Sequence, residues 1–354
     1  MVALTHPVRQ PPRLSPGRLA HIWLSGLLLL CAVASLAIGA SETSLWAALW
    51  KAAQGQPLDV IEAVVLWDIR APRLVLGIAV GASLAVSGAV MQGLFRNPLA
   101  DPGILGVSAG AGLGAMGAIV LGGLLPAGVA VMLGGFVLPV AAFVGAWIVT
   151  LVLYAVATRN GRTSVATMLL AGIAIAALAG ALTGVLIYMA DDQQLRDLTF
   201  WGLGSLAGSS WAKVAVAVPI MALALAVALT LSHALNGLAL GEATAHHVGI
   251  PVQRMKNIAV LTVAGATGAA VAVSGGIGFV GIVAPHLLRL WLGPDHRHLL
   301  INSALLGASL LLMADVISRL VVAPAELPIG IVTAVLGGPF FLWILLRRRG
   351  LLDV

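Results

Sequence analysis

Charge is what this chain has least of. Only 9% of its 354 residues are Asp, Glu, Lys or Arg, where an average soluble domain carries about 25%. So few charges exclude an ordinary water-soluble fold of this length. Lysine is scarcer still. Lys51, Lys213 and Lys256 follow Trp50, Ala212 and Met255, so no Gly-Lys-Ser/Thr exists and a phosphate-cradling Walker loop is excluded. Cys31 is the single cysteine. It can make no internal disulfide and no zinc site, and its place in an apolar tract reads as packing. No H-E-x-x-H run occurs, which removes the basic motif of zinc proteases. Intramembrane acids and histidines of the kind that relay protons are nearly missing, with only Asp315 and His286 approaching that description. Net charge is +6, yet the basic residues are too scattered for a nucleic-acid face.

What the chain has in quantity is apolar length. Residues 19–41, 74–95, 163–190, 214–232 and 327–346 carry no Lys, Arg, Asp or Glu, and the apolar run 102–158 is longer still. A helix needs roughly 20 predominantly apolar residues to cross a bilayer, so 102–158 must fold back on itself. Lipid offers the backbone no hydrogen-bond partner, so each crossing closes its own polar groups as a helix. The expectation is an all-α integral membrane protein with ten crossings, near 19–40, 73–94, 103–123, 128–156, 165–189, 212–233, 257–276, 279–292, 299–319 and 328–346. One ten-helix domain then covers 19–346, with tails 1–18 and 347–354. The first tract is too long for a cleaved signal core.

The charges orient it. Arg347, Arg348 and Arg349 read as cytoplasmic by the positive-inside rule, and ten spans bring Arg9, Arg13 and Arg18 to the same side. Thirteen Lys and Arg then meet four acids inside, and six meet nine outside. Arg70, Arg73 and Arg319 fall on the acidic outer side, where cations are disfavoured. Glycine is abundant at 42 residues. Gly77/Gly81 and Gly110/Gly114 stand at GxxxG spacing, which lets helix backbones approach closely in lipid, first of all within the chain. The sequence Ala-Val-Ser-Gly occurs at 85–88 and again at 272–275, on helices expected to run in opposite directions as an inverted repeat requires; chance also explains four small residues.

Three connections are too particular to be plain links. Arg96-Asn97-Pro98-Leu99-Ala100-Asp101-Pro102-Gly103 is an inner turn closed by two prolines. The inner segment 236–255 holds Gly241-Glu242-Ala243-Thr244-Ala245-His246-His247-Val248-Gly249, where Gly249 and the following Pro251 would end a short helix. Adjacent His246 and His247 point different ways on a helix and do not read as a metal pair. Ala325-Glu326-Leu327-Pro328-Ile329-Gly330 is an outer turn before the last span.

At these residues the chain resembles the FecCD-type permeases, the membrane subunits of type II ABC importers for iron complexes, haem and vitamin B12. Arg96, Asn97, Pro98, Asp101 and Pro102 are similar to the family's first signature, Gly278 with Pro285 and His286 to its second, and Glu326, Pro328 and Gly330 to its third. The resemblance runs from about residue 70 to 349. It implies a ten-helix fold with both termini cytoplasmic in a bacterial inner membrane, working as a homodimer. It also implies two separate ABC ATPase subunits holding ATP and Mg, a periplasmic binding protein, and no cofactor or metal on this chain. Gly241 to Gly249 would dock into the ATPase. Arg70, Arg73 and Arg319 would face acids of the binding protein, with Asp315 orienting Arg319. The fifth and tenth spans would line the pathway. Residues 197–206 are most similar to the matching loop of haem permeases, which ranks haem first as cargo, a ferric siderophore second and vitamin B12 third. An ion-coupled carrier acting alone is the alternative from another class, and a membrane-embedded enzyme a third.

Overall fold

The computed structural model describes residues 16–39, 43–159 and 161–348. Eight helices are long and apolar enough to cross a membrane: Pro16–Ala37, Val60–Leu94, Val107–Leu124, Ala127–Ala157, Val165–Met189, Trp211–Thr230, Val252–Ser274 and His296–Val321. Two further apolar helices complete the set, the short Val280–Leu292 and Ile329–Arg348. In chain order these ten are called the first to tenth spans. Residues 1–15 and 349–354, with Arg9, Arg13 and Arg349, lie outside the described residues, as does most of each expected tail.

Burial sorts the spans. The second and seventh are 78% buried over their most apolar windows, whereas the fifth is 11% buried. The second span is the axis. It packs on the seventh, eighth and ninth through small residues. A Cβ on Gly81 would overlap the Gly307 carbonyl, and one on Gly88 the Gly281 carbonyl. Gly110 and Gly114 meet Gly145 and Ala141 on the fourth span in the same way. Without a hydrophobic gradient between helices in lipid, such close backbone approach is what joins them. The expected intra-chain use of both GxxxG pairs is therefore found, although Gly77 packs on Leu312 and Leu206 side chains instead.

Several expected bounds shift for local reasons. The second span begins at Val60 rather than 73, continuing through a widened turn at Val64–Arg70. The third begins at Val107, because Pro102–Leu105 closes a tight turn that ends on Gly106 at φ 70. The seventh ends at Ser274, and an irregular stretch to Phe279 leads into the eighth. Elements outside the apolar tracts also appear. Leu45–Ala53 is a short helix capped by Ser44. Asp192–Gly202 is a helix opened by the reciprocal Asp191–Gln194 cap, which covers residues 197–202 of the 197–206 segment expected as a loop. A two-stranded hairpin, Thr158–Arg159 with Arg162–Thr163, joins the fourth span to the fifth.

Candidate functional site

At the outer end the three arginines point into the chain. Arg70, Arg73 and Arg319 are each 4% exposed. The first span ends at Ala37 without a basic residue in its last turn, so its terminal carbonyls need donors from elsewhere. Arg70 supplies one to Leu36 (2.6 Å) and also reaches the Thr43 carbonyl in the loop beyond (3.2 Å), and Arg319 donates to Ile38 (2.7 Å) and Ser35 (3.2 Å). A guanidinium at a helix C-terminus satisfies open carbonyls and complements the dipole. Arg73 grips Glu326 with both fork nitrogens at 2.8 and 2.9 Å and Asp315 through Nε at 2.9 Å. Asp315 also pairs with Arg319 at 3.0 Å, in the orienting role expected of it. The sequence assigned these three arginines to a binding protein; in this structure each is engaged within the chain. The planar fork that suits a partner's carboxylate is occupied by Asp315, by Glu326 and by the end of the first span.

The first two signatures meet each other. Asp101 accepts from the Gly103 N–H at 2.7 Å, and its other oxygen and Pro102 lie against Gly281, so the first signature touches the second. Burial pushes the Asp101 carboxyl up from its ordinary value, against the Gly103 hydrogen bond. Asn97 accepts from Leu99 at 3.0 Å, and exposed Arg96 sits at φ 49. Gly278 and Phe279, the latter at φ 67, line a cavity of about 380 Å³ together with Asp101, Ser108 and Thr267. Pro285 and His286 are buried in the eighth span, His286 edge-on to Phe340 of the tenth at 6.5 Å. In the third signature Glu326 serves Arg73. Gly330 donates to the Leu203 carbonyl at 2.9 Å and leaves no room for a Cβ between Leu203 and Gly276. Pro328 accepts from Ile331 at 3.1 Å.

At the inner end Glu242–His247 forms a helix. Gly241 at φ 107 opens it and Gly249 at φ 84 follows it, conformations that favour glycine. Ala245 is its buried residue, while Glu242, Ala243, Thr244, His246 and His247 are exposed. Ile250 fills the space over Gly237 and fixes the far side. Leu240 and Val248 flank the helix at 70% and 65% exposure. The His246 and His247 rings stand at 85° to each other with centroids 6.5 Å apart. Among the described residues no group of three or more His, Cys, Asp or Glu side chains is placed to hold a metal ion.

Two features escaped the sequence. Lys256 is 4% exposed and joins Glu242 (2.7 Å) to the Thr163 carbonyl (3.0 Å). Next to the ninth span, Asn236 donates to Asp295 at 2.7 Å and accepts from the His296 N–H at 2.9 Å. Lone buried polar residues on an apolar helix were the available signal for Lys256; nothing local pointed to Asn236.

Residues 27–347 match the sequence profile of the FecCD transport family. The chain is 44% identical to the hemin transport system permease protein of Yersinia pestis, over 96% of this chain and 98% of that one. It is 42% identical to the vitamin B12 import system permease protein of Klebsiella pneumoniae, over 94% and 96%. Among solved structures, a metal-chelate type ABC transporter in an inward-facing conformation superposes with a TM-score of 0.81 at 30% identity, over 93% of this chain and 99% of the other.

Proposed function

The chain belongs to the FecCD transport family, and from that premise we propose that it is the permease subunit of an ATP-driven importer carrying haem across a bacterial inner membrane. It is a multi-pass membrane transport protein. Two copies would form the pathway, two separate ATPase subunits would hold ATP and Mg, and a periplasmic binding protein would deliver the cargo. The observation that carries this reading is the Glu242–His247 helix. It is exposed along most of its length, flanked by uncovered Leu240 and Val248, yet seated firmly through Ala245 and Ile250. An exposed helix with a rigid seat suits a partner that pushes on it. The fifth span complements it, because so apolar and so little buried a helix suits a face shared with a twin and a bulky cargo. At the outer end the binding protein would dock over loops that Arg70, Arg73 and Arg319 brace from beneath.

Haem as cargo rests on the hemin permease likeness over nearly the whole chain. The vitamin B12 relatives favour a second reading, the same importer with a corrinoid cargo. Proteoliposomes holding the chain with its ATPase test both, given haem-loaded binding protein outside and ATP at the ATPase face. Haem should accumulate only with ATP. Accumulation of cobalamin or a ferric siderophore in place of haem would replace the cargo. Uptake by the chain alone on an ion gradient would overturn the importer.

A further inference from the structure

Lys256 lies one turn into the seventh span, in one of the most buried helices of the protein. An ammonium there is expensive unless it is paired and hydrogen-bonded. Its two partners come from different parts of the chain. Glu242 Oε1, at 2.7 Å, begins the inner helix. The Thr163 carbonyl, at 3.0 Å, ends the hairpin between the fourth and fifth spans. One turn earlier, Gln253 repeats the link. Its Oε1 accepts from the Thr163 N–H at 2.9 Å, and its Nε2 donates to Thr163 Oγ1 and to Asn257 Oδ1. Thr163 Oγ1 in turn meets Thr158 Oγ1 at 2.8 Å across the hairpin. The next residue, Ser164, caps the fifth span by accepting from the Thr167 N–H. Every backbone and side-chain polar group of Thr163 is thereby held by the seventh span or the hairpin.

We propose that Lys256, seconded by Gln253, is the positioning residue that transmits displacement of the Glu242–His247 helix to the fifth span through Thr163. The proposal deepens the importer reading and rests on it. The physical case is one of stiffness. The inner helix has six residues and one buried side chain; Ala245 and Ile250 seat it on the segment before it, and the link toward the fifth span runs through Lys256. The ion pair fixes its first turn to a buried ammonium, and that ammonium is hydrogen-bonded to the residue before the cap of the fifth span. The fifth span is also the least packed of the long helices, so a pull on its inner end meets little resistance from the core.

The test uses the complete importer in proteoliposomes and reads cargo imported per ATP hydrolysed. Lys256→Met keeps the side-chain length and removes both bonds. Gln253→Leu leaves the ion pair but cuts the second link to Thr163. Each should lower the transport-to-hydrolysis ratio by roughly two- to thirtyfold, the range of energetic couplings carried by intermediary residues, while the ATPase stays bound. Lys256→Arg should restore most of the ratio, and Lys51→Met at the opposite end should leave it unchanged. Equal loss of import and hydrolysis, or an unchanged ratio in Gln253→Leu, overturns the proposal. If Lys256→Met fails to assemble, Gln253→Leu and Lys256→Arg decide alone. A wild-type complex that imports nothing with ATP sinks the importer reading itself, a separate result.

Discussion

A charged residue in this protein has a structural use wherever the structure brings it below the surface. Arg73 is the clearest case, since it holds Asp315, 0% exposed, and Glu326 at once. Arg73→Met leaves Asp315 with Arg319 alone and Glu326 without its fork. The expected loss is about 3–5 kcal/mol, the cost of breaking a buried pair from one side, read as a lower midpoint in thermal unfolding of the detergent-purified protein. Asp295 gives a milder case with a pH signature. It caps the ninth span by accepting from the Arg297 N–H at 3.0 Å. That hydrogen bond holds its carboxyl below the usual range, helped by the Asn236 amide and the charges of Arg297 and His298, with slight burial opposing. A carboxyl lowered on folding contributes stability above its unfolded value and loses it as pH falls through the folded one. Asp295→Ala should therefore cost about 1 kcal/mol at neutral pH, as capping residues do. The gap from wild type should close below about pH 4, where the unfolded carboxyl takes up its proton. A gap independent of pH down to acid would remove the ionic part of the argument.

Helices in lipid are joined by what they omit. Gly88 of the second span and Gly281 of the eighth touch backbone to backbone, so Gly88→Ala must push two packed helices apart. Overpacking of this kind costs about 1–3 kcal/mol, whereas Ala at Gly26 on the first span, with nothing within 4 Å, should be neutral or slightly stabilising. Comparing their unfolding midpoints checks the pair, and equal effects would deny the close crossing its role. The elements also mark how far sequence reasoning reached. Apolar length gave nearly every span, because hydrophobic thickness is a one-dimensional constraint that a one-dimensional string records. The start of the second span at Val60 was hidden, since Glu62, Asp68 and Arg70 break the apolar tract although the helix continues. The Asp192–Gly202 helix was legible in principle from Asp191 and Gln194, the spacing of a reciprocal cap. The fate of Arg73 was not: its partners lie 242 and 253 residues away, and nothing local distinguishes an arginine bound within the chain from one offered to a partner. The inner helix was readable because Gly241 and Gly249 punctuate it, and Asn160-Gly161 is a turn signal for the hairpin, but nothing in the string says that Thr163 packs on Lys256, 93 residues away.

Across the molecule, the packing is lopsided. One side of the bundle is closed by the second, seventh and ninth spans, while the fifth leaves Leu170, Ile173, Leu178, Leu182, Val185 and Tyr188 uncovered. Lipid covers such side chains as well as protein does, so apolar exposure alone does not call for a twin. Glycine separates the two cases. Gly81, Gly88, Gly110 and Gly114 all press on a neighbouring backbone, whereas Gly180 and Gly184, one GxxxG step apart on the fifth span, have nothing within 4 Å of a Cβ position. Lipid gains nothing from a pair of glycines at that spacing, and a second helix gains close approach. If two copies meet along the fifth span, Gly184→Leu should move the detergent-solubilised protein from dimer toward monomer, raising the dissociation constant by about tenfold or more for a loss near 1.4 kcal/mol. Gly26→Leu, equally open but on the first span, should leave the dimer intact. Sedimentation at a series of protein concentrations reads both. A dimer indifferent to Gly184→Leu and broken by Gly26→Leu would move the interface to the first span and take the pathway with it, since a conduit shared by two copies has to run where they face each other.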